Sequence, residues 1–263
     1  MDYLQLSYGQ VALAACLIAV NGGISVALRL GLGKTLFIAS VRTVVQLLLI
    51  GLVLEQIFAV QAPPLVLGWM AFMAIVAGVS AVRRTGRRYD GIYWDSILSI
   101  WLSSWLVAGI ALTAIIRVEP WWTAQYAIPL LGMILGNTLT GISLGLDRLT
   151  ETLTSRKGEV ELRLTLGATR WQAARPAVRE AIRTGMIPIL NSMSVVGLVS
   201  LPGMMTGQLL AGVSPLEAVK YQIIIMFLIA AGTALGTVGV VLLGYRRLFS
   251  RRHQFLIGRI SRA

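Results

Sequence analysis

The residues of this chain that could do chemistry are few, and most of them lie inside long apolar stretches. Amide side chains occur there at Gln46, Asn137 and Asn191, and hydroxyl groups at Thr138 and Ser192. An unpaired amide is costly in apolar surroundings, so these groups must find polar partners. Two interpretations remain open: hydrogen bonds between helices, or a path lined by oxygen atoms for a hydrated or chelated cation.

A second group of candidates surrounds the pair Pro202-Gly203. Proline removes a backbone donor and glycine widens the allowed dihedral range, so the chain can bend or re-enter the membrane there. The pair lies about 25 Å along a helix that starts at Gly185, which places it near the outer face. Thioether sulfur suits Cu(I) better than iron, but methionine is also an ordinary flexible filler. The candidate gate residues are Pro202, Gly203, Met204, Met205, Gln208 and, upstream, Met193.

Two kinds of site are not expected. His253 and Cys16 are the single histidine and the single cysteine, which leaves no residues for a protein zinc site and no internal disulfide. Gly33-Lys34-Thr35 looks like the end of a phosphate-binding loop, but such a loop needs a glycine at the position of Leu28. We therefore predict a turn or helix starting near Lys34, no nucleotide site and no cofactor.

Composition identifies the kind of scaffold that must position these residues. Of 263 residues, 56% are hydrophobic and only 13% are charged, whereas a soluble domain carries about 25% charged residues. This composition excludes an ordinary cytosolic enzyme, a disordered chain and a secreted disulfide scaffold. The chain is predicted to be an all-α, polytopic membrane protein.

Seven stretches are long and apolar enough to cross a bilayer, because a spanning helix needs about 20 apolar residues. They form one transmembrane domain over residues 1–263. The predicted spans are Leu6–Leu28, Leu36–Phe58, Pro64–Val82, Ile92–Ile116, Tyr126–Leu146, Gly185–Met205 and Pro215–Gly244.

The basic residues predict the orientation of these spans. Of the 23 Lys and Arg residues, all but Arg117 and Lys220 fall in connections on one side or in the tail at 245–263. Positive residues stay in the cytoplasm during insertion, so the N-terminus is predicted outside and the basic tail inside. The net charge of +12 then reflects topology and attraction to anionic lipid, and nucleic-acid binding is not expected.

One segment, residues 147–184, has a soluble-looking composition of mixed charge. A helix continuing through residues 145–154 would carry the fifth span beyond the bilayer. Glu159–Leu166 is predicted to be a short helix, with Gly167 supplying the left-handed turn that ends it. Thr169 is then expected to cap the following helix.

This segment has two possible roles. Pro176 is expected to interrupt the helical pattern before the sixth span. A short helix held across the cytoplasmic surface could dock in a groove of a soluble partner and transmit its motion to two spans. The alternative is a solvated loop that carries a surface helix.

Glycines at spacings of four or five mark the fifth span. Without side chains they allow helices to approach closely, either within one subunit or across a dimer axis. The predicted packing residues are Gly132, Gly136, Gly141 and Gly145.

Several motifs resemble known families. The run from Glu161 to Ala173 resembles the coupling segment of ABC-transporter permeases. Gly197-Leu-Val-Ser-Leu-Pro-Gly-Met-Met-Thr-Gly-Gln208, with Arg42-Thr-Val-Val-Gln46, Gly132-Met-Ile-Leu-Gly-Asn-Thr138 and Ile187-Pro-Ile-Leu-Asn-Ser-Met193, resembles the FetB iron-export permease family. Plant aluminium-tolerance membrane subunits belong to the same group. The resemblance covers nearly the whole chain.

The resemblance implies a dimeric permease of the bacterial inner membrane that binds two copies of a cytoplasmic ABC ATPase. Its cargo would be iron or another small solute. Export of a non-metal metabolite, a membrane scaffold or receptor that moves nothing, and a gradient-driven carrier remain alternatives. The expected ATPase-coupling residues are Glu159, Glu161, Leu164, Leu166, Gly167, Ala168, Thr169, Arg170 and Gln172.

Overall fold

The structure is a computed structural model that describes residues 7–262. It confirms the predicted all-α polytopic fold; Leu6, the expected start of the first span, lies outside the described residues. The helices are α1 (Tyr8–Ala27), α2 (Gly33–Val60), α3 (Pro63–Arg83), α4 (Ile92–Ile110), α5 (Ala124–Ser155), α6 (Lys157–Thr165), α7 (Arg170–Val195), α8 (Gly203–Leu210) and α9 (Pro215–Leu248). The strands are β1 (Arg87–Tyr89) and β2 (Ile260–Arg262).

The described chain divides into two compact units. The first contains residues 7–62 and 210–212 and is built on the helical pair α1 and α2. Ser7 caps α1: its hydroxyl accepts from the backbone N–H of Gln10, whose side chain accepts from the backbone of Ser7 in return. As predicted, α2 starts at Gly33, next to Lys34.

The second unit contains residues 63–209 and 213–262. Helix α5 lies at its centre, and α3, α4, α7 and α9 all pack against it. The central position of α5 follows from its apolar face, which repeats every three or four residues and is buried along its whole length. Its largest fully buried side chains are Leu131, Ile134, Ile142, Leu146, Leu149 and Leu153.

Two glycines allow a close contact between α5 and α7 in the second unit. A Cβ atom at Gly185 in α7 would lie 2.6 Å from the backbone oxygen of Gly141 in α5. A Cβ at Gly141 would in turn lie 2.6 Å from the Thr237 hydroxyl of α9. Three helices therefore approach one another at positions without a side chain. Gly141 is one of the predicted packing residues, and Gly185 is not.

The predicted packing glycines differ in their surroundings. A Cβ at Gly145 would meet Thr237 at 3.1 Å, and one at Gly132 would meet the Met73 methyl group at 3.3 Å. Gly136 has open space around it among the described residues. Close packing within the chain therefore involves three of the four predicted glycines.

Six described helices are long and apolar enough to cross a membrane, namely α1–α5 and α9. The predicted sixth span, Gly185–Met205, is interrupted as expected, but its boundaries differ from the prediction. Helix α7 starts at Arg170 and ends at Val195, and α8 starts only at Gly203. The part of α7 after Gly185 is about 16 Å long, about half the hydrocarbon thickness. The break expected at Pro202-Gly203 already begins at Val196.

The predicted interruption at Pro176 is also wrong, since α7 continues through both Pro176 and Pro188. A proline removes one backbone hydrogen bond but leaves the side chains around it free to pack. Here the buried face of the helix, with Ala173, Ala177 and Ala181, is continuous on both sides of Pro176.

The basic tail is folded. Helix α9 continues to Leu248, and the chain then turns so that β2 pairs antiparallel with β1, with Arg88 opposite Ser261 and Tyr89 opposite Ile260. An isolated bridge between Phe249 and Phe255 closes the turn. Neither strand was predicted, because a strand of three residues has too little hydrophobic periodicity to be recognised from its sequence.

Candidate functional site

The turn between α6 and α7 has the local structure that its sequence predicts. Helix α6 ends at Thr165, and Gly167 follows with φ of +89°, a conformation that side chains disfavour. The Thr169 hydroxyl accepts from the backbone N–H of Gln172, and the Gln172 side chain accepts from the backbone N–H of Thr169. This capping box starts α7, so a tight turn joins α6 to α7.

Helix α6 presents apolar side chains to its surroundings. Leu162 in α6 and Leu166, the residue that caps its end, are 59% and 78% exposed and lie four residues apart, hence on one face. Charged pairs flank them, Glu159 with Arg163 at 2.7 Å and Lys157 with Glu161 at 3.7 Å. An exposed apolar patch rimmed by charges is typical of a protein docking surface.

The remaining predicted coupling residues are arranged around this patch. Leu164, Ala168 and Arg170 are half-buried, whereas Thr169 and Gln172 are exposed and occupied by the capping box. Only Val160 of α6 is buried. The helix is therefore attached to the second unit through few side chains and leaves most of its surface free.

The folded tail holds the start of α7. The backbone N–H of Arg170 donates to Nδ1 of His253 at 2.9 Å, and the Arg170 guanidinium donates to the backbone oxygen of Ser250 at 3.4 Å. The Trp171 ring meets the Tyr245 ring edge-on, with centroids 5.3 Å apart. This contact was not predicted. The aromatic residues of the tail, Tyr245, Phe249 and Phe255, are the feature of the sequence that could have indicated it.

A charged pair joins the C-terminal part of α5 to α7. The Arg148 guanidinium donates to the Glu180 carboxylate and also binds Glu151 at 3.2 Å. Arg156 lies 4.0 Å from Glu180. Arg148 lies on α5 and Glu180 on α7. The pair therefore links the helix that precedes α6 along the chain to the helix that follows it.

A second polar cluster links the tail to α4. Nε of Arg247 donates to both oxygens of Asp95, at 2.8 and 2.6 Å, and the Tyr89 hydroxyl donates to Asp95 at 3.1 Å. Burial raises the pKa of Tyr89 above its usual range, and the neighbouring Asp95 carboxylate raises it further. Tyr89 therefore remains a proton donor at physiological pH.

Two adjoining cavities lie between α5, α7, α8 and α9. The larger has a volume of about 440 Å³ and the smaller about 340 Å³. Val196, Gln222 and Met226 line both. Gln222 is 6% exposed, and its Oε1 atom has no hydrogen-bond partner among the described residues. A buried unpaired amide oxygen is costly, and here it faces an open volume.

The structure brings together most of the predicted pathway residues at these cavities. Their side chains are held by their own helices: the Asn137 amide donates to the backbone oxygen of Met133, and the Ser192 hydroxyl to that of Pro188. Asn137, Ser192, Pro202, Gly203 and Met204 line the larger cavity, and Met193 and Met205 line the smaller one.

Four predicted pathway residues lie elsewhere. Thr138 is fully buried in the packing of the second unit, and Asn191 is exposed on α7. Gln208 is half-buried in α8 and lines neither cavity, while Gln46 is exposed on α2 in the first unit. Gln222 was not predicted, although it is an amide in the predicted seventh span and the same argument applied to it.

The cavity lining is neutral. Five methionines line the two cavities, together with amide and hydroxyl groups, and no ionisable side chain is among the lining residues. Across the described chain, no three His, Cys, Asp or Glu side chains come together as a metal site would require. The methionines are Met133, Met193, Met204, Met205 and Met226.

Comparison with known proteins places this arrangement in a family. The uncharacterised protein family UPF0014 matches residues 8–249. A UPF0014 membrane protein of Synechocystis is 42% identical over 87% of this chain and 88% of its own length. The probable iron export permease protein FetB of Escherichia coli is 33% identical, with 100% of both chains covered. The protein ALUMINUM SENSITIVE 3 of Arabidopsis thaliana is 31% identical over 94% of this chain and 89% of its own length. No solved structure matches the chain significantly.

These matches confirm the resemblance to the FetB family that the sequence motifs indicated. The part of the chain that matches the family model contains residues 147–184 and the residues that line both cavities. The relatives in Synechocystis and Bacillus subtilis are named as membrane proteins, in agreement with the six apolar spanning helices described above. The chain is a multi-pass membrane protein and belongs to the UPF0014 family.

Proposed function

We propose that this chain is the membrane permease subunit of an ABC transporter that exports iron, using ATP hydrolysed by a separate cytoplasmic subunit. The observation that carries the proposal is α6, a short helix with exposed Leu162 and Leu166 between two long helices. An apolar helix face with a charged rim fits the groove of a partner protein. The choice of iron rests on the name of the Escherichia coli relative.

Motion at α6 can reach the cavities through two continuous helices. Helix α5 has 32 residues and α7 has 26, so they are about 48 Å and 39 Å long. Met133 and Asn137 of α5 and Ile189 and Ser192 of α7 line the larger cavity. A partner that shifts α6 would therefore tilt both helices and change the cavity between them.

A second copy of the chain would complete the pathway. On α7, Asn191 and Ser194 are exposed, and the Asn191 side chain makes no hydrogen bond within the described residues. On α5, Gly136 is exposed and Thr140 is half-buried. Lipid is a poor environment for these groups, and small and polar residues are typical of contacts between membrane helices.

The docking prediction is tested with Leu166→Asp in cells that also express the ATPase. A charge on the apolar face of α6 should reduce co-purification of the ATPase by about tenfold, equal to about 1.4 kcal/mol of binding free energy. The matched control is Leu216→Asp at the start of α9, because Leu216 is exposed to a similar degree, 76% against 78%.

Both variants should still insert in the membrane, since neither side chain contributes to the buried core. Normal ATPase binding by Leu166→Asp would contradict the proposed docking surface. If the wild-type complex binds ATPase but no solute stimulates ATP hydrolysis in vesicles, the chain is a scaffold and not a permease.

A further inference from the structure

We propose that the cargo of this permease enters with a net negative charge, so that iron is moved as an anionic chelate with a carboxylate-bearing ligand and not as the bare cation. The inference rests on the proposed function and names the substrate class of the same pathway. Two independent features support it: a row of unpaired arginines on α7, and the neutral lining of the cavities.

The row consists of Arg175, Arg179 and Arg183, which we call the arginine face. Residues four apart lie on one side of a helix, and all three side chains are exposed. They line a groove of about 500 Å³ together with Pro176 and Glu180. None of the three forms an ion pair within the described residues, and the single carboxylate of the groove, Glu180, already binds Arg148.

The arginine face continues into the apolar half of α7. Four residues turn a helix by about 40° more than one full turn, so Ile187 follows Arg183 on the same side. Ile187, Leu190, Asn191 and Ser194 are all exposed there. This is the face on which the proposed second copy would lie, and two copies would bring six arginines to one end of the pathway.

Such an entrance selects by charge. Rings of arginine or lysine are the selective element of anion and phosphate pores, because they attract anions and repel cations. A guanidinium group also binds a carboxylate through two parallel hydrogen bonds. A bare ferrous ion would meet repulsion at the arginine face, where the one carboxylate of the groove, Glu180, already binds Arg148.

The cavities point to the same class of cargo. A bare iron ion that loses water needs carboxylate or imidazole ligands, and neither cavity is lined by any. The available groups are thioethers, hydroxyls and the unpaired Oε1 of Gln222. An amide oxygen can accept from a hydroxyl of a chelating ligand, which makes a hydroxycarboxylate such as citrate a suitable probe.

The test uses the permease reconstituted with its ATPase in vesicles of neutral lipid, with uptake of radioactive iron measured from the ATPase side. Two probes are compared: ferric citrate, and ferrous ion kept reduced by ascorbate. We expect ferric citrate to be transported and to stimulate ATP hydrolysis. The double variant Arg179→Gln/Arg183→Gln should raise the KM for ferric citrate about tenfold, with the maximal rate little changed.

The matched control is Arg83→Gln/Arg84→Gln, which removes the same charge from two exposed arginines at the end of α3. It should leave the KM unchanged. Transport of ferrous ion that is as fast in the arginine-face variant as in the wild type would overturn the inference and leave the proposed function standing.

Equal loss in both double variants, restored by anionic lipid, would also overturn the inference, because the arginines would then bind lipid headgroups. If the wild-type complex moves neither probe and neither stimulates ATP hydrolysis, the proposed iron export itself is wrong. The control variants make these outcomes distinguishable.

Discussion

At the scale of single residues, the junction between α4 and the tail depends on one glycine. Gly91 has φ of +87° and lies against Arg247, so that a Cβ atom would be 2.6 Å from the guanidinium carbon. Arg247 in turn binds Asp95, whose side chain is only 5% exposed. Removing a partner from a buried carboxylate leaves a charge without compensation, which is strongly destabilising.

We therefore predict that Gly91→Ala lowers the free energy of unfolding by about 1–3 kcal/mol, through backbone strain and displacement of Arg247. The measurement is the midpoint of thermal unfolding in detergent, followed by tryptophan fluorescence. Gly109→Ala in α4 is the control, because a Cβ there meets nothing within 4 Å. Equal midpoints for the two variants would show that the position of Arg247 and its ion pair with Asp95 do not depend on Gly91.

At the scale of helices, the crossing of α5, α7 and α9 depends on Gly141 and Gly185. A Cβ atom at residue 185 would come too close to the backbone oxygen of Gly141 and to the side chain of Thr237 in α9. Protein interiors are packed to crystal density, so an added methyl group cannot be absorbed without moving a helix.

Gly185→Ala is expected to cost about 1–3 kcal/mol of stability by separating α7 from α5. The control is Gly68→Ala in α3, where the added Cβ meets nothing within 4 Å. Monodispersity on gel filtration and the thermal midpoint are the measurements. A Gly185→Ala protein as stable as wild type would mean that α7 shifts freely relative to α5.

Local signals predicted α6 well and α7 poorly. The cap at Thr169 and the left-handed turn at Gly167 depend only on residues within four positions of them, so both can be predicted from the sequence. The course of α7 through Pro176 depends on packing of its alanine face against other helices, which no local pattern records.

At the scale of the whole molecule, the number of membrane crossings depends on α7 and α8. Positive residues predict an outside N-terminus and an inside tail, which requires an odd number of crossings. Six described helices are long and apolar enough to cross. The broken pair α7 and α8 would have to supply a seventh, and irregular backbone at membrane depth is tolerated where it lines a cavity.

Cysteine labelling tests this arrangement. In a Cys16→Ser background, Val213→Cys should react with a membrane-impermeant maleimide in intact cells, because the turn between α8 and α9 is expected outside. Leu166→Cys should react only after permeabilisation, since the coupling segment is expected inside. Both native side chains are exposed. Labelling of both from the same side would show that α7 and α8 do not cross.

The amino-acid sequence by itself determined the membrane class, the long apolar helices, and the short helix α6 with the glycine turn and the cap that follow it. These features depend on composition and on neighbours within one or two helical turns. The tertiary structure alone decided which amides share a cavity, where α7 ends, and that the basic tail holds the start of α7 through His253 and Tyr245. The contacts of the tail with α7 join residues more than 70 positions apart and arise from packing of whole helices. Hydrophobic periodicity specifies which face of a helix is buried but not which partner buries it.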